Sequence, residues 1–214
     1  MLLGQERAAV VAYCRRMQAD GLTVGTSGNV SVRRDDLIAI TPTGVEYTAL
    51  TPEGVCVVDL AGRPAEPGPL PSSELPMHTH VYRATGAGAV VHTHPLYATA
   101  LSVLVDELPP VHYLVALLGG PVRVAEYATY GSVELAEGSV RALAGRSAVI
   151  LRNHGATTVG RDLAQAYTRS VYLEWLCRLY HQARLIGEPR LLPAEEIARV
   201  GALLQTYGQG ILEP

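Results

Sequence analysis

The sequence predicts a single α/β domain spanning residues 1–214. Three observations carry that prediction. Short strand-like runs interleave with helical patterns along the whole chain, no segment repeats another, and no linker is long or polar enough to divide it. The length suits one sizeable hydrophobic core, and an apolar fraction of 48% is ordinary for a globular protein.

Each element has a local reason. QERAAVVAYCRRMQAD at 5–20 carries helical apolar spacing and stops before Gly21. NVSVR and LIAIT read as strands around an RDD turn, and GVCVVDL as a third before an AGR turn. Residues 62–71 hold four prolines and two glycines and predict a loop. A helix is expected from Ser72 or Ser73 to Ala84, and GAVVHTH is a buried strand stopped by Pro95. Residues 95–118 predict a mostly helical stretch broken at Pro109 and Pro110. VRVAEY and AVILRNHGATTVG read as further strands, with a helix near 132–144 between them. A long helix follows from Asp162 to Ile186, then a short one from Pro193 to Thr206.

Composition excludes several kinds of chemistry. All 17 basic residues are arginine. Schiff-base catalysis, a P-loop and pyridoxal phosphate attachment each need a lysine amine, so all three are ruled out. A net charge of −3 with no basic run offers nucleic acid and anionic membrane no electrostatic footprint. No stretch approaches the ~18–20 apolar residues of a membrane span. Glu6 and Arg7 stand where an export signal needs an apolar run, so a cytoplasmic location is expected. Cys14, Cys56 and Cys177 are odd in number and form no CxxC pair, which fits reduced core or surface thiols.

Four of the seven histidines lie in two copies of one tripeptide, MHTH at 77–80 and VHTH at 91–94. Backbone conformation separates the copies. On a strand, residues i and i+2 share a face, so His92 and His94 can converge on one cation. On a helix they stand roughly 160° apart, so His78 and His80 cannot chelate together. The alternative for the strand pair is a core or surface role. His154, in LRNHGAT at the end of another buried strand, is a candidate third ligand, with a hydrogen-bonded structural histidine as its alternative. Three imidazoles and an open position make the pattern of a catalytic zinc, and imidazole suits transition ions better than magnesium or calcium.

TSGN at 26–29, TPTG at 41–44 and PSSE at 71–74 are hydroxyl-rich turns. Each alone is a turn and nothing more. Together they offer hydroxyls, an amide and free backbone N–H groups, which can hold a phosphate dianion without lysine. Glu74 in the first helical turn reads as a dipole-complementing acid, or as ligand and general base if that turn faces a metal.

GTSGNVSVR, ITPTGVEY, LPSSE, AVVHTHPLYATALS, VHYLVALLGG, EYATYGSVEL, NHGATTVG and the terminal TYG fall in the order and spacing of the class II aldolase/adducin family. The chain resembles that family nearly end to end, and within it the branch that cleaves L-fuculose 1-phosphate. The resemblance implies a three-layer fold with a central, mostly antiparallel sheet flanked by helices. It implies Zn2+ held by His92, His94, His154 and Glu74, with Co2+ or Mn2+ as substitutes, and phosphate bound by Gly28, Asn29, Thr43, Gly44, Ser72 and Ser73, with Thr26 close by. The implied reaction is reversible cleavage of a ketose 1-phosphate to dihydroxyacetone phosphate and L-lactaldehyde through a zinc-stabilised enediolate. Glu74 then moves the C3 proton, Tyr113 from a neighbouring subunit protonates the aldehyde oxygen, and Tyr207 closes over the aldehyde. Tyr130 stands where close relatives have Phe and is a candidate aldehyde contact. His78 recurs in the family's helix without being a ligand. A cyclic homotetramer with sites at subunit interfaces is implied as well. Three rival readings remain. A ribulose-5-phosphate 4-epimerase needs an aspartate where residues 109–120 hold no carboxylate. A sugar-phosphate dehydratase shares the metal site, and an adducin-like scaffold would keep the fold without chemistry.

Overall fold

The computed structural model describes residues 1–206. Its elements are α1 (Gly4–Ala19), β1 (Asn29–Arg34), β2 (Leu37–Ile40), β3 (Cys56–Asp59), α2 (Leu75–Thr85), β4 (Ala89–Thr93), α3 (Leu96–Ser102), β5 (Glu107–Leu108), β6 (Val122–Ala125), α4 (Val133–Leu143), β7 (Ala148–Leu151), β8 (Gly155–Gly160), α5 (Leu163–Ile186) and α6 (Ala194–Gln205). The strands form one eight-stranded sheet in the order β3-β2-β1-β4-β8-β7-β6-β5. Every neighbouring pair is antiparallel except β6 and β7. This is the α/β fold that the sequence predicts, with the mostly antiparallel sheet flanked by helices that the resemblance implies.

The period-two alternation of the strands decides which side chains meet. Ala89 and Val91 of β4 pack with α1 and the start of α5, alongside Val30. Val90 faces the other way, into the cluster formed by Met77, Val81 and Tyr82 of α2 with Leu135, Ala136 and Leu143 of α4. His92 continues the Val90 parity, and Asn29 and Ser31 alternate with Val30, so all three belong to the α2 face. Register brings them side by side, with Asn29 opposite His92 and His92 opposite Thr157.

The segment 95–118 departs from the expected helix. Only α3 is α-helical; β5 follows, and Tyr113–Leu118 is a 3-10 helix. The cause is tertiary, because Glu107 and Leu108 pair with Arg123 and Val122 of β6. The helix after the proline-rich loop also starts later than expected. Glu74 is its N-cap, and Ser72 and Ser73 lie in the preceding turn. Pro76 fits the first helical turn, where its missing N–H costs nothing. Cys14, Cys56 and Cys177 are buried free thiols, as the composition suggested. No helix among the described residues is long and apolar enough to cross a membrane.

One glycine sets how closely the two histidine-bearing segments approach. A Cβ on Gly155 would lie 2.3 Å from the Thr93 carbonyl oxygen and 3.2 Å from His94 Cδ2. Gly155→Ala is therefore expected to force β8 away from β4 at a cost of about 2–3 kcal/mol. Thermal unfolding should show a midpoint lower by about 5–10 °C; an unchanged midpoint would mean that the two strands can separate freely here.

Candidate active site

Glu74, His92, His94 and His154 come together from three separate segments of the chain, and their ligand atoms all lie within 4.8 Å of one another. The three imidazole rings stand 4.8 to 4.9 Å apart, centroid to centroid, each pair steeply inclined. His92 is the last strand residue but one of β4, and its Nδ1 lies 3.0 Å from the Ala156 carbonyl oxygen. A carbonyl only accepts, so Nδ1 carries the hydrogen and Nε2 presents a lone pair. His94 follows the strand, its backbone N–H donating to Leu22 at 2.9 Å. Pro95 then caps α3, whose first amides, at Tyr97 and Ala98, donate to the Glu174 carboxylate of α5. His154 sits in the tight turn joining β7 to β8 rather than at a strand end, with Asn153 before it in the left-handed region at φ 54°.

The donor set fits a divalent transition ion. Glu74 Oε2 lies 3.0 Å from His92 Nε2, and His92 Nε2 lies 2.9 Å from His94 Nε2. Lone pairs cannot approach one another so closely without a cation or protons between them. Glu74 Oε1 is buried with no hydrogen-bond partner among the described residues, a loss of solvation of roughly 1–3 kcal/mol or more that a metal ion would offset. Burial alone would raise the Glu74 carboxyl, but the neighbouring imidazoles of His92 and His154 and the Asn29 hydrogen bond hold it well below the usual carboxylate range. Burial, reinforced by the crowding of the neighbouring imidazoles, lowers His94 to about 3 and His154 to about 4. These rings are therefore neutral near pH 7, as metal ligation requires.

A cleft of about 290 Å³ opens onto this group. Thr26, Gly28, Asn29, Thr43, Gly44, Ser72 and Ser73 all line it, together with Glu74, His94 and His154. The hydroxyl-rich turns and the ligand cluster therefore share one cavity. Asn29 differs from its neighbours, because its Nδ2 donates to Glu74 Oε2 at 2.8 Å. Tyr130 stands at the wall of the cleft, 68% exposed. Tyr127 and Asn153 also line it, and sequence reasoning missed both. The asparagine before His154, next to a glycine, was the available signal, since Asn is among the few residues that tolerate positive φ.

One predicted residue is not at the cleft. Tyr113, 45% exposed, lines a separate groove with Leu117 and with Leu203 of α6, so a single chain does not bring it to the histidines. Tyr207 lies outside the described residues. Of the second His-Thr-His, His80 Nδ1 donates to the Pro76 carbonyl oxygen within its own helix and His78 is buried behind Glu74, so neither joins the ligand group.

A sequence profile of the Class II Aldolase and Adducin N-terminal domain matches residues 8–181. The chain belongs to the class II aldolase/adducin family. This class II aldolase/adducin chain is 41% identical over 212 residues to 5-deoxy-D-ribulose 1-phosphate aldolase of Bacillus thuringiensis serovar kurstaki, covering 98% of this chain and 100% of that one. It is 40% identical over 207 residues to L-fuculose phosphate aldolase of Escherichia coli strain K12, covering 95% and 96%. Among solved structures, an L-fuculose 1-phosphate aldolase superposes with a TM-score of 0.92 at 37% identity, over 94% of this chain and 96% of that one.

Proposed function

We propose that the protein is a metal-dependent aldolase that reversibly cleaves a ketose 1-phosphate to dihydroxyacetone phosphate and an aldehyde. The observation that carries this reading is the shared cavity: a hydroxyl-lined cleft of about 290 Å³ that opens onto a group of one glutamate and three histidines. Glu74, His92, His94 and His154 would hold the ion, with zinc favoured by the imidazole-rich set and cobalt or manganese as substitutes. When bound, a divalent ion supplies Lewis-acid polarisation of the ketose carbonyl.

The chain's own groups do the rest. Hydroxyls of Thr26, Thr43, Ser72 and Ser73 and the backbone around Gly28 and Gly44 hold the phosphate, which places C3 toward Glu74. Cleavage starts from a protonated Glu74 and the phenolate of Tyr113 of a neighbouring subunit. The C4 hydroxyl gives its proton to Tyr113, the C3–C4 bond breaks, and Glu74 gives its proton to C3. Exchange with solvent then returns both groups to their starting forms. In synthesis each step reverses. This proton traffic needs no amine nucleophile, in keeping with a chain that has no lysine. Tyr207 is proposed to close over the aldehyde, in a cyclic tetramer with its sites between subunits.

Two substrates compete, because relatives of nearly equal identity bear the names of two. Both reactions yield dihydroxyacetone phosphate and differ only in the aldehyde, which is lactaldehyde from L-fuculose 1-phosphate and acetaldehyde from the five-carbon 5-deoxyribulose 1-phosphate. Tyr130 and Tyr127 line the cleft, which supports them as the residues that sense that difference. A turnover panel of ketose 1-phosphates, with metal analysis of the same sample, tests the proposal. Cleavage of at least one of the two, with dihydroxyacetone phosphate as product and a bound transition metal, is the expected result. No cleavage of any member by metal-replete protein would overturn it.

A further inference from the structure

Behind Glu74 runs a line of buried polar side chains that the reaction above does not use. His78 lies one helical turn beyond Glu74 on α2, fully buried. Its Nε2 contacts Asn29 Oδ1, and its Nδ1 lies 2.6 Å from Ser31 Oγ, which is itself 2.7 Å from the Tyr82 hydroxyl. Asn29 Nδ2 in turn donates to Glu74 Oε2. All four groups between Glu74 and the core are buried.

Chemistry decides where each hydrogen sits. An ionised carboxylate only accepts, so Asn29 must turn its NH2 to Glu74 and its Oδ1 to His78. His78 Nε2 therefore carries the ring hydrogen and Nδ1 accepts. Ser31 has one hydroxyl hydrogen, which goes to Nδ1, so Tyr82 must donate to Ser31. Burial pushes His78 down to about 3 and raises the Tyr82 phenol, so both are in the neutral forms this pattern demands. Two orientations of the Asn29 amide are available, and without the His78 N–H only the Glu74 carboxylate itself selects between them. One of those orientations sets an oxygen against the Glu74 carboxylate.

We propose that His78 is a positioning residue for Glu74. The array Tyr82–Ser31–His78–Asn29 donates in one direction, tethers Oε2, and leaves Oε1 as the oxygen free for ion and substrate. This inference rests on the reading of Glu74 as ligand and base. The second His-Thr-His thus serves the first, because one copy supplies ligands and the other holds the carboxylate between them.

The test compares wild type with His78→Leu, which removes the donor, and His78→Gln, whose side-chain amide can donate from a position close to Nε2. Each is assayed for zinc affinity by competition with a chelator, for kcat and KM on the ketose phosphate, and for exchange of the dihydroxyacetone phosphate C3 proton. His78→Leu is expected to lose about 10–100-fold in zinc affinity, and a similar factor in kcat and exchange, with KM changed less than about threefold because the phosphate contacts are untouched. His78→Gln should recover most of each loss. Wild-type affinity and exchange in folded His78→Leu, or equal impairment of the Gln and Leu proteins, would overturn the proposal. Should His78→Leu fail to fold, Ser31→Ala, which frees Nδ1 and with it the ring tautomer, is expected to give a partial loss in the same readouts, and no loss would overturn it equally. If wild type itself exchanges no proton, the proposed function falls, while the affinity differences still decide the role of His78.

Discussion

Replacing His154 with alanine is expected to abolish both metal retention and ketose phosphate cleavage, while His80→Ala keeps both. His154 is the one proposed ligand from the β7–β8 turn, and it stands 3.4 Å from Glu74 Oε1. Without it, two imidazoles and a carboxylate remain, and that oxygen loses the imidazole 3.4 Å away. The Lewis-acid contribution then falls with occupancy, so turnover should drop by at least about 10³-fold, equivalent to about 4 kcal/mol of barrier. His80 is the right control because it has the same chemistry in the same tripeptide, yet its bond is to Pro76 within α2. A chelator should reproduce the His154→Ala loss in wild type, and added zinc or cobalt should reverse it there but not in the variant. Full turnover by protein verified as metal-free would sink the mechanism.

Glu74→Gln is the second large effect. Glutamine keeps the size and can still accept the Asn29 N–H, but it cannot take up a carbon-bound proton. Exchange of the C3 proton of dihydroxyacetone phosphate should fall by roughly 10²–10⁴-fold, while metal content falls much less because three imidazoles persist. Exchange at the wild-type rate would reduce Glu74 to a ligand alone. The same variant tests where Tyr113 acts. Tyr113→Phe should depress cleavage by a similar factor yet leave that exchange intact, since the aldehyde takes no part in it. Within one chain Tyr113 lines a different groove from the cleft. Mixed oligomers of Tyr113→Phe and Glu74→Gln subunits should therefore regain activity, because some interfaces combine an intact base with an intact phenol. No rescue in demonstrably mixed oligomers would place the whole site within one chain.

Much of the site could be read from the chain because strands carry a period of two. VVHTHP has one backbone interpretation, and it puts His92 on the Val90 face beside α2. The hydroxyl-rich turns were legible for a similar reason, since Ser, Thr, Gly and Asn make turns wherever they fall. What escaped was set by residues distant in sequence. β5 exists because Leu108 meets Val122, and no local preference in VDELPP announces that pairing. The late start of α2 at Leu75 lets the Glu74 carboxylate reach His92 instead of complementing its own helix. The His78 array escaped for another reason. The spacing of four from Glu74 placed both on one helical face, but Asn29 and Ser31, which link them, arrive from β1.

The place of β4 in the sheet has a consequence for synthesis. It lies between β1, made before it, and β8, made well after it. A chain emerging from the ribosome can pair β4 on one side as soon as Thr93 is out. The other side stays an open hydrogen-bonding edge until Gly160 has followed. That edge carries the apolar run Ala89, Val90 and Val91, the kind of surface that recruits a neighbouring nascent strand. His92 and His94 are thus in place long before His154 exists, and from Thr93 until Gly160 this edge of β4 is open to mispairing.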